Sequence, residues 1–183
     1  MAERQKYKTR ATYNVPGHAH ELTFSVYLKK RKMFEPGVVE AYLESLVTIS
    51  AKYKFDIWAY VVMPDHCHVL VFPTGEVYSM ENFKRDFKSK SSKAIFALHP
   101  EWRKYMKTFR PSRGVEARFW QQGGGYDRNF FTAKATWKSI NYLHNNPVRK
   151  GFVDAPSDWA WSSARNYEGL RGEIPITICP WEY

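Results

Sequence analysis

The sequence predicts an α+β sandwich, an antiparallel sheet with helices on one face, from three observations. Alternating apolar residues mark strands at about 20–29, 55–63 and 66–73, two longer stretches carry apolar stripes at helical spacing, and the segments follow one another as strand, helix, strand, strand, helix, strand. That order is the ferredoxin-like arrangement, with a further helix after it. At 183 residues the chain is expected to form one domain over 1–183.

The first strand follows from Leu22, Phe24, Val26 and Leu28, which alternate with polar neighbours. Pro36 suits the first turn of a helix reaching about residue 53, with Val39, Tyr42, Leu43, Leu46 and Ile49 on one stripe. Pro64-Asp65 separates two apolar runs and reads as the bend of a hairpin, because proline presets a turn and cannot donate to a central ladder. Ser79 is placed to cap a helix over about 80–98, buried through Met80, Phe83, Phe87, Ala94, Ile95 and Leu98. A fourth strand is expected near 117–121, and Tyr126–Phe131 as a short extended piece. Thr132 opens a helix of about 133–146, beyond which Pro147 disfavours continuation. Residues 1–14 read as a basic arm and 152–183 as an irregular tail.

Composition restricts the function classes. A net charge of +10 and a pI near 9.6 point to nucleic acid. The chain has no run of eighteen apolar residues, its start is polar and basic, and Cys67 and Cys179 lack metal-finger spacing. A reduced cytoplasmic, nucleoid-associated setting with no membrane partner is therefore expected.

The chemistry concentrates at two places. In the run Tyr60–Phe72, His66 and His68 point to one strand face with Leu70, while Cys67, Val69 and Val71 point to the other. Two imidazoles on one face are a candidate pair of metal ligands. On the last helix Lys138, Tyr142 and Asn146 stack by fours on a polar side, away from Trp137, Ile140 and Leu143. A tyrosine among polar neighbours has its hydroxyl available as a nucleophile. If Tyr142 reaches the metal site, the Asn146 oxygen reaches it too, giving a nitrogen and oxygen set suited to Mg²⁺ or Mn²⁺; the alternative is that Asn145-Asn146-Pro147 is only a helix stop. A second pair, His18 and His20, lacks a preceding apolar run, although His20 is a candidate lining residue. The cations read as DNA contacts are Arg4, Lys6, Lys8, Arg10, Lys30, Arg31, Lys84, Lys88, Arg103, Lys104, Arg128 and Lys138. Between residues 99 and 118, Trp102, Tyr105 and Phe109 alternate with basic side chains, as base stacking requires. The glycines at 123–125 read as a flexible or closely approached joint, not a phosphate loop, since no Lys-Ser/Thr follows.

Met63-Pro-Asp-His-Cys-His68 resembles the HUH motif of single-tyrosine transposases, and Tyr142-Leu-His-Asn-Asn-Pro-Val-Arg-Lys-Gly151 resembles the tyrosine-helix motif of their REP-associated branch. Phe119-Trp-Gln, Tyr126-Asp-Arg and Trp161-Ser-Ser163 are similar to that branch as well. Asp65 stands where many members have Asn, and Cys67 occupies a position that is usually apolar. The resemblance implies a divalent-metal enzyme, monomer or homodimer, that cuts and rejoins single-stranded DNA beside a REP-like or element-end hairpin through a 5′-phosphotyrosine. It implies Tyr142 as nucleophile, His66 and His68 as metal ligands and Asn146 as the third. A non-catalytic nucleic-acid-binding module and a metal phosphoesterase using water are the alternatives.

Overall fold

The computed structural model describes residues 13–110, 114–123 and 125–182. In chain order the elements are β1 (Ala19–Ser25), α1 (Val38–Tyr53), β2 (Phe55–Met63), β3 (His66–Pro73), α2 (Met80–Leu98), β4 (Lys107–Arg110), β5 (Gly114–Ala117), β6 (Tyr126–Phe130), α3 (Ala133–His144), α4 (Asn146–Arg149) and α5 (Ala164–Tyr167). The main sheet runs β2-β3-β1-β6, every pairing antiparallel, as the ferredoxin-like order requires.

The fourth sheet strand is β6, not the expected 117–121 segment. Phe119 and Trp120 there are consecutive and both buried, which strand alternation on a half-buried sheet does not allow; Trp120 makes only an isolated bridge to Val26. Residues within 99–118 instead form a separate β4-β5 hairpin. The tail is also less irregular than expected, since it contains α5 and Ser162 bridges to Val61. Arg4, Lys6, Lys8 and Arg10 lie outside the described residues.

The sheet has a core on each face. On one, Leu22, Phe24, Cys67, Val69 and Val71 meet the stripes of α1 and α2 through Tyr42, Leu46, Phe83 and Phe87. This side is packed with rings: Phe24 lies 4.8 Å from Phe87 and Tyr42 5.5 Å from Phe87. On the other face Ala19, Trp58, Ala59, Val61 and Leu70 receive Ile140 and Leu143 of α3. A register shift in β2 between Ile57 and Ala59 lets the adjacent Trp58 and Ala59 both turn to this second face. Helices α2 and α3 begin as their sequences predict, with the Ser79 hydroxyl accepting from the Asn82 N–H and that of Thr132 from the Ala135 N–H.

Candidate active site

Helix α3 crosses the second face only partly, and the polar sheet residues beside it stay open. Antiparallel register sets Thr23 of β1 opposite His68 of β3 and Ser25 opposite His66. A cavity of about 540 Å³ results, with Glu21, Thr23 and His68 on its sheet side and Lys138, Ser139 and Tyr142 on its helix side; Tyr126 and Arg128 of β6 complete the lining.

The two imidazoles lie 5.1 Å apart, centroid to centroid, and nearly perpendicular. Each is oriented through Nδ1. That of His66 is 2.6 Å from Asp65 Oδ1, and that of His68 is 2.9 Å from Thr23 Oγ1 and 3.5 Å from Glu21 Oε1. Carboxylate oxygens only accept, so they favour the proton on Nδ1 and leave the lone pair on Nε2. Ser139 Oγ in turn donates to Glu21 Oε2 at 2.9 Å and fixes that carboxylate. Burial holds His66 below the ordinary histidine range, with Asp65 opposing it, so the ring is available as a neutral ligand. Imidazoles braced on one nitrogen and open on the other are the arrangement of metal-binding histidines. Among the described residues no group of three His, Cys, Asp or Glu side chains is placed to hold a metal ion.

Tyr142 meets this pair from the helix. Its ring stands edge-on to His68 with centroids 6.3 Å apart, it is 45% exposed, and the Arg149 guanidinium sits 4.5 Å over its face. Helical periodicity brings Lys138 into the same cavity. Asn146 does not join the lining. Helix α3 ends at His144, and Asn146 is buried at the start of α4, where its amide nitrogen has no partner among the described residues. His144 points the other way, with Nε2 2.8 Å from Ser163 Oγ, and burial pushes it down to about 4. Ser163 also accepts from the Tyr60 N–H, which is how the Trp161–Ser163 segment ties the tail to β2.

Other expected residues fall elsewhere. His20 does not line the site: alternation along β1 turns it to the α2 side, where it is fully buried between Asp127 and Tyr78. Lys84 is also buried, with its ammonium 2.7 Å from Asp127. Arg128 extends over the Phe130 ring beside the cavity, whereas Lys88 and Arg103 line a separate groove along α2. Lys30 lies over Tyr105, and Arg31 and Lys104 are exposed. The sequence reading missed Glu21, Thr23, Ser139 and Arg149. The first two become visible only when the β1-β3 register is known, while Arg149 is present in the motif after Tyr142.

A family model described as "Transposase IS200 like" matches residues 18–142, from just before β1 to the tyrosine. The chain belongs to the IS200-like transposase family. It is a transposase, an enzyme that acts on DNA. Among relatives of this IS200-like transposase, the REP-associated tyrosine transposase of Escherichia coli K12 is 28% identical over 137 residues, covering 72% of this chain and 67% of the relative. A putative REP-associated tyrosine transposase of Haemophilus influenzae is 23% identical over 156 residues, covering 82% of each. The solved structure of a REP-associated tyrosine transposase bound to a REP hairpin superposes with a TM-score of 0.65 at 17% identity, over 99% of this chain and 95% of that one, and supports the shared fold. No helix among the described residues is long and apolar enough to cross a membrane.

Proposed function

We propose that this transposase cuts and rejoins single-stranded DNA next to a hairpin, with Tyr142 as the nucleophile. The observation that carries the reading is the approach of a half-exposed tyrosine, edge-on, to a braced histidine pair across a cationic cavity. The Tyr142 oxygen attacks the scissile phosphorus, the bond to the 3′ oxygen breaks, and a 5′-phosphotyrosine and a free 3′ hydroxyl result. The phenol gives up its proton and the departing 3′ oxygen takes one, so no external energy source is needed to reverse the step. Lys138, Arg128 and Arg149 set positive charge around the phosphate and the forming phenolate.

His66 and His68 would hold a divalent ion, Mg²⁺ or Mn²⁺, through their Nε2 atoms; when bound, such an ion draws charge from the scissile phosphate. Asn146 remains the candidate third ligand, since no hydrogen bond to its amide nitrogen has to be broken for the side chain to turn. Asp65, Thr23 and Glu21 orient the imidazoles and do not touch the substrate. The hairpin is assigned from the solved relative, which is bound to a REP hairpin.

A gel assay tests the reading. Labelled single-stranded hairpin DNA incubated with the protein and Mn²⁺ or Mg²⁺, then denatured, should yield a metal-dependent covalent adduct. Tyr142→Phe should bind the DNA with unchanged affinity and give neither adduct nor strand breaks. Continued cleavage by Tyr142→Phe would overturn the assignment, and breaks without an adduct would point to a water nucleophile.

A further inference from the structure

A groove of about 1060 Å³ lies away from Tyr142, between α2 and the segment that precedes β6. Six of its lining residues are cations, and three are acidic. Of the acids, Asp86 is already engaged by Lys52 at 2.6 Å and Arg85 at 3.0 Å. Lys88 is the unusual member. Its ammonium donates to the carbonyls of Gln121 at 3.2 Å and Gly123 at 2.7 Å, lies over the Phe24 ring, and meets no carboxylate among the described residues. Backbone carbonyls thus hold a half-buried cation in place with no countercharge. Burial, with the nearby positive charges of Arg118 and Lys84, pushes it down to about 8. A cation desolvated among cations is costly to the free protein, and that cost is relieved when an anion enters.

The groove also connects to the site. Its wall at Trp120–Gly123 crosses the end of β1: Trp120 bridges Val26, and the Gln121 N–H donates to the Ser25 carbonyl at 2.7 Å. Ser25 is the register partner of His66. At Gly125, with φ of +75°, a Cβ would stand 2.5 Å from the Thr23 carbonyl oxygen, so only glycine lets the chain lie this close against β1. Beyond it Tyr126 enters the Tyr142 cavity.

We propose that this groove, lined by Lys88, Lys93 and Arg103, binds the phosphodiester backbone of the same DNA whose scissile phosphate lies at Tyr142. The inference rests on the reading above for the identity of the ligand as DNA. It adds a second, non-catalytic contact that anchors the substrate and is indifferent to base sequence.

The test is the salt dependence of binding by the full chain, followed by fluorescence anisotropy between 50 and 200 mM salt, on two probes: a hairpin stem without flanks and an unpaired strand without a stem. One phosphate contact contributes about 0.9 to the log–log slope on duplex and about 0.7 on single strands. Lys88→Gln should make the slope shallower by that amount on at least one probe, identifying which part of the DNA lies in the groove, and Lys88→Arg should restore it. Lys93→Gln, on the groove wall, should shift it similarly without disturbing the carbonyl contacts. Wild-type slopes on both probes in both glutamine variants would overturn the proposal. Tyr142→Phe serves as a control, with adduct lost and slope kept. If the wild-type protein forms no adduct while the lysine variants still change the slope, the nucleophile reading fails and the groove stands.

Discussion

The two faces of the main sheet are made by the same strands yet serve different ends. Along β1, Leu22 and Phe24 enter a ring-packed core under α1 and α2, whereas the alternate residues Glu21 and Thr23 open onto the Tyr142 cavity. Along β3, Cys67, Val69 and Val71 do the first and His68 the second, with His66 beside it. The difference is one of cover. Two helices close the first face, while α3, through Ile140 and Leu143, and tail residues Trp159, Tyr167, Cys179 and Trp181 cover the second and leave the histidine edge polar. The first face is core throughout, whereas the second joins a smaller core to an open polar edge whose groups are held in register by the strands.

If that division holds, substitutions on the two faces should separate cleanly. Phe87→Ala on the closed face should cost about 3–5 kcal/mol of unfolding free energy, read from the urea midpoint, since the side chain is fully buried against Phe24 and Tyr42. On the open face the largest stability effect should come from metal. Mn²⁺ at a hundredfold its Kd should stabilise the wild type by about 2.7 kcal/mol, a chelator should reverse this, and His66→Ala and His68→Ala should show no such gain. An equal gain in those variants would move the metal site elsewhere. Removing a brace should be milder. Asp65→Ala is expected to weaken Mn²⁺ by about 10–100-fold in calorimetry while thermal stability without metal changes little. The smallest effect belongs to the element joining the faces: Thr132→Ala removes the α3 cap and should cost about 1 kcal/mol.

Much of this division could be read from the chain. The Pro64-Asp65 turn, the alternation that groups His66 with His68, and the Ser79 and Thr132 caps are local signals, and each has its expected place in the structure. What escaped depends on residues far apart in sequence. Strand β6, Tyr-Asp-Arg-Asn-Phe, has too few apolar residues to outweigh Ala-Arg-Phe-Trp-Gln, yet it is the sheet strand because Asp127 finds His20 and Lys84 inside. For the same reason Lys84, which the sequence places among the cations read as DNA contacts, is buried. Glu21 and Thr23 become site residues only through pairing with β3. The break between α3 and α4 moves Asn146 out of line with Lys138 and Tyr142, although Pro147 announces it.

The central claim is that Tyr142 itself carries the DNA, and peptide mapping of the covalent adduct tests it most directly. Trypsin should release residues 139–149, whose single tyrosine is Tyr142, and mass spectrometry after nuclease trimming should find a 5′-linked nucleotide phosphate on that side chain. A nucleotide on any other residue, or cleaved DNA with residues 139–149 unmodified throughout, would contradict the account.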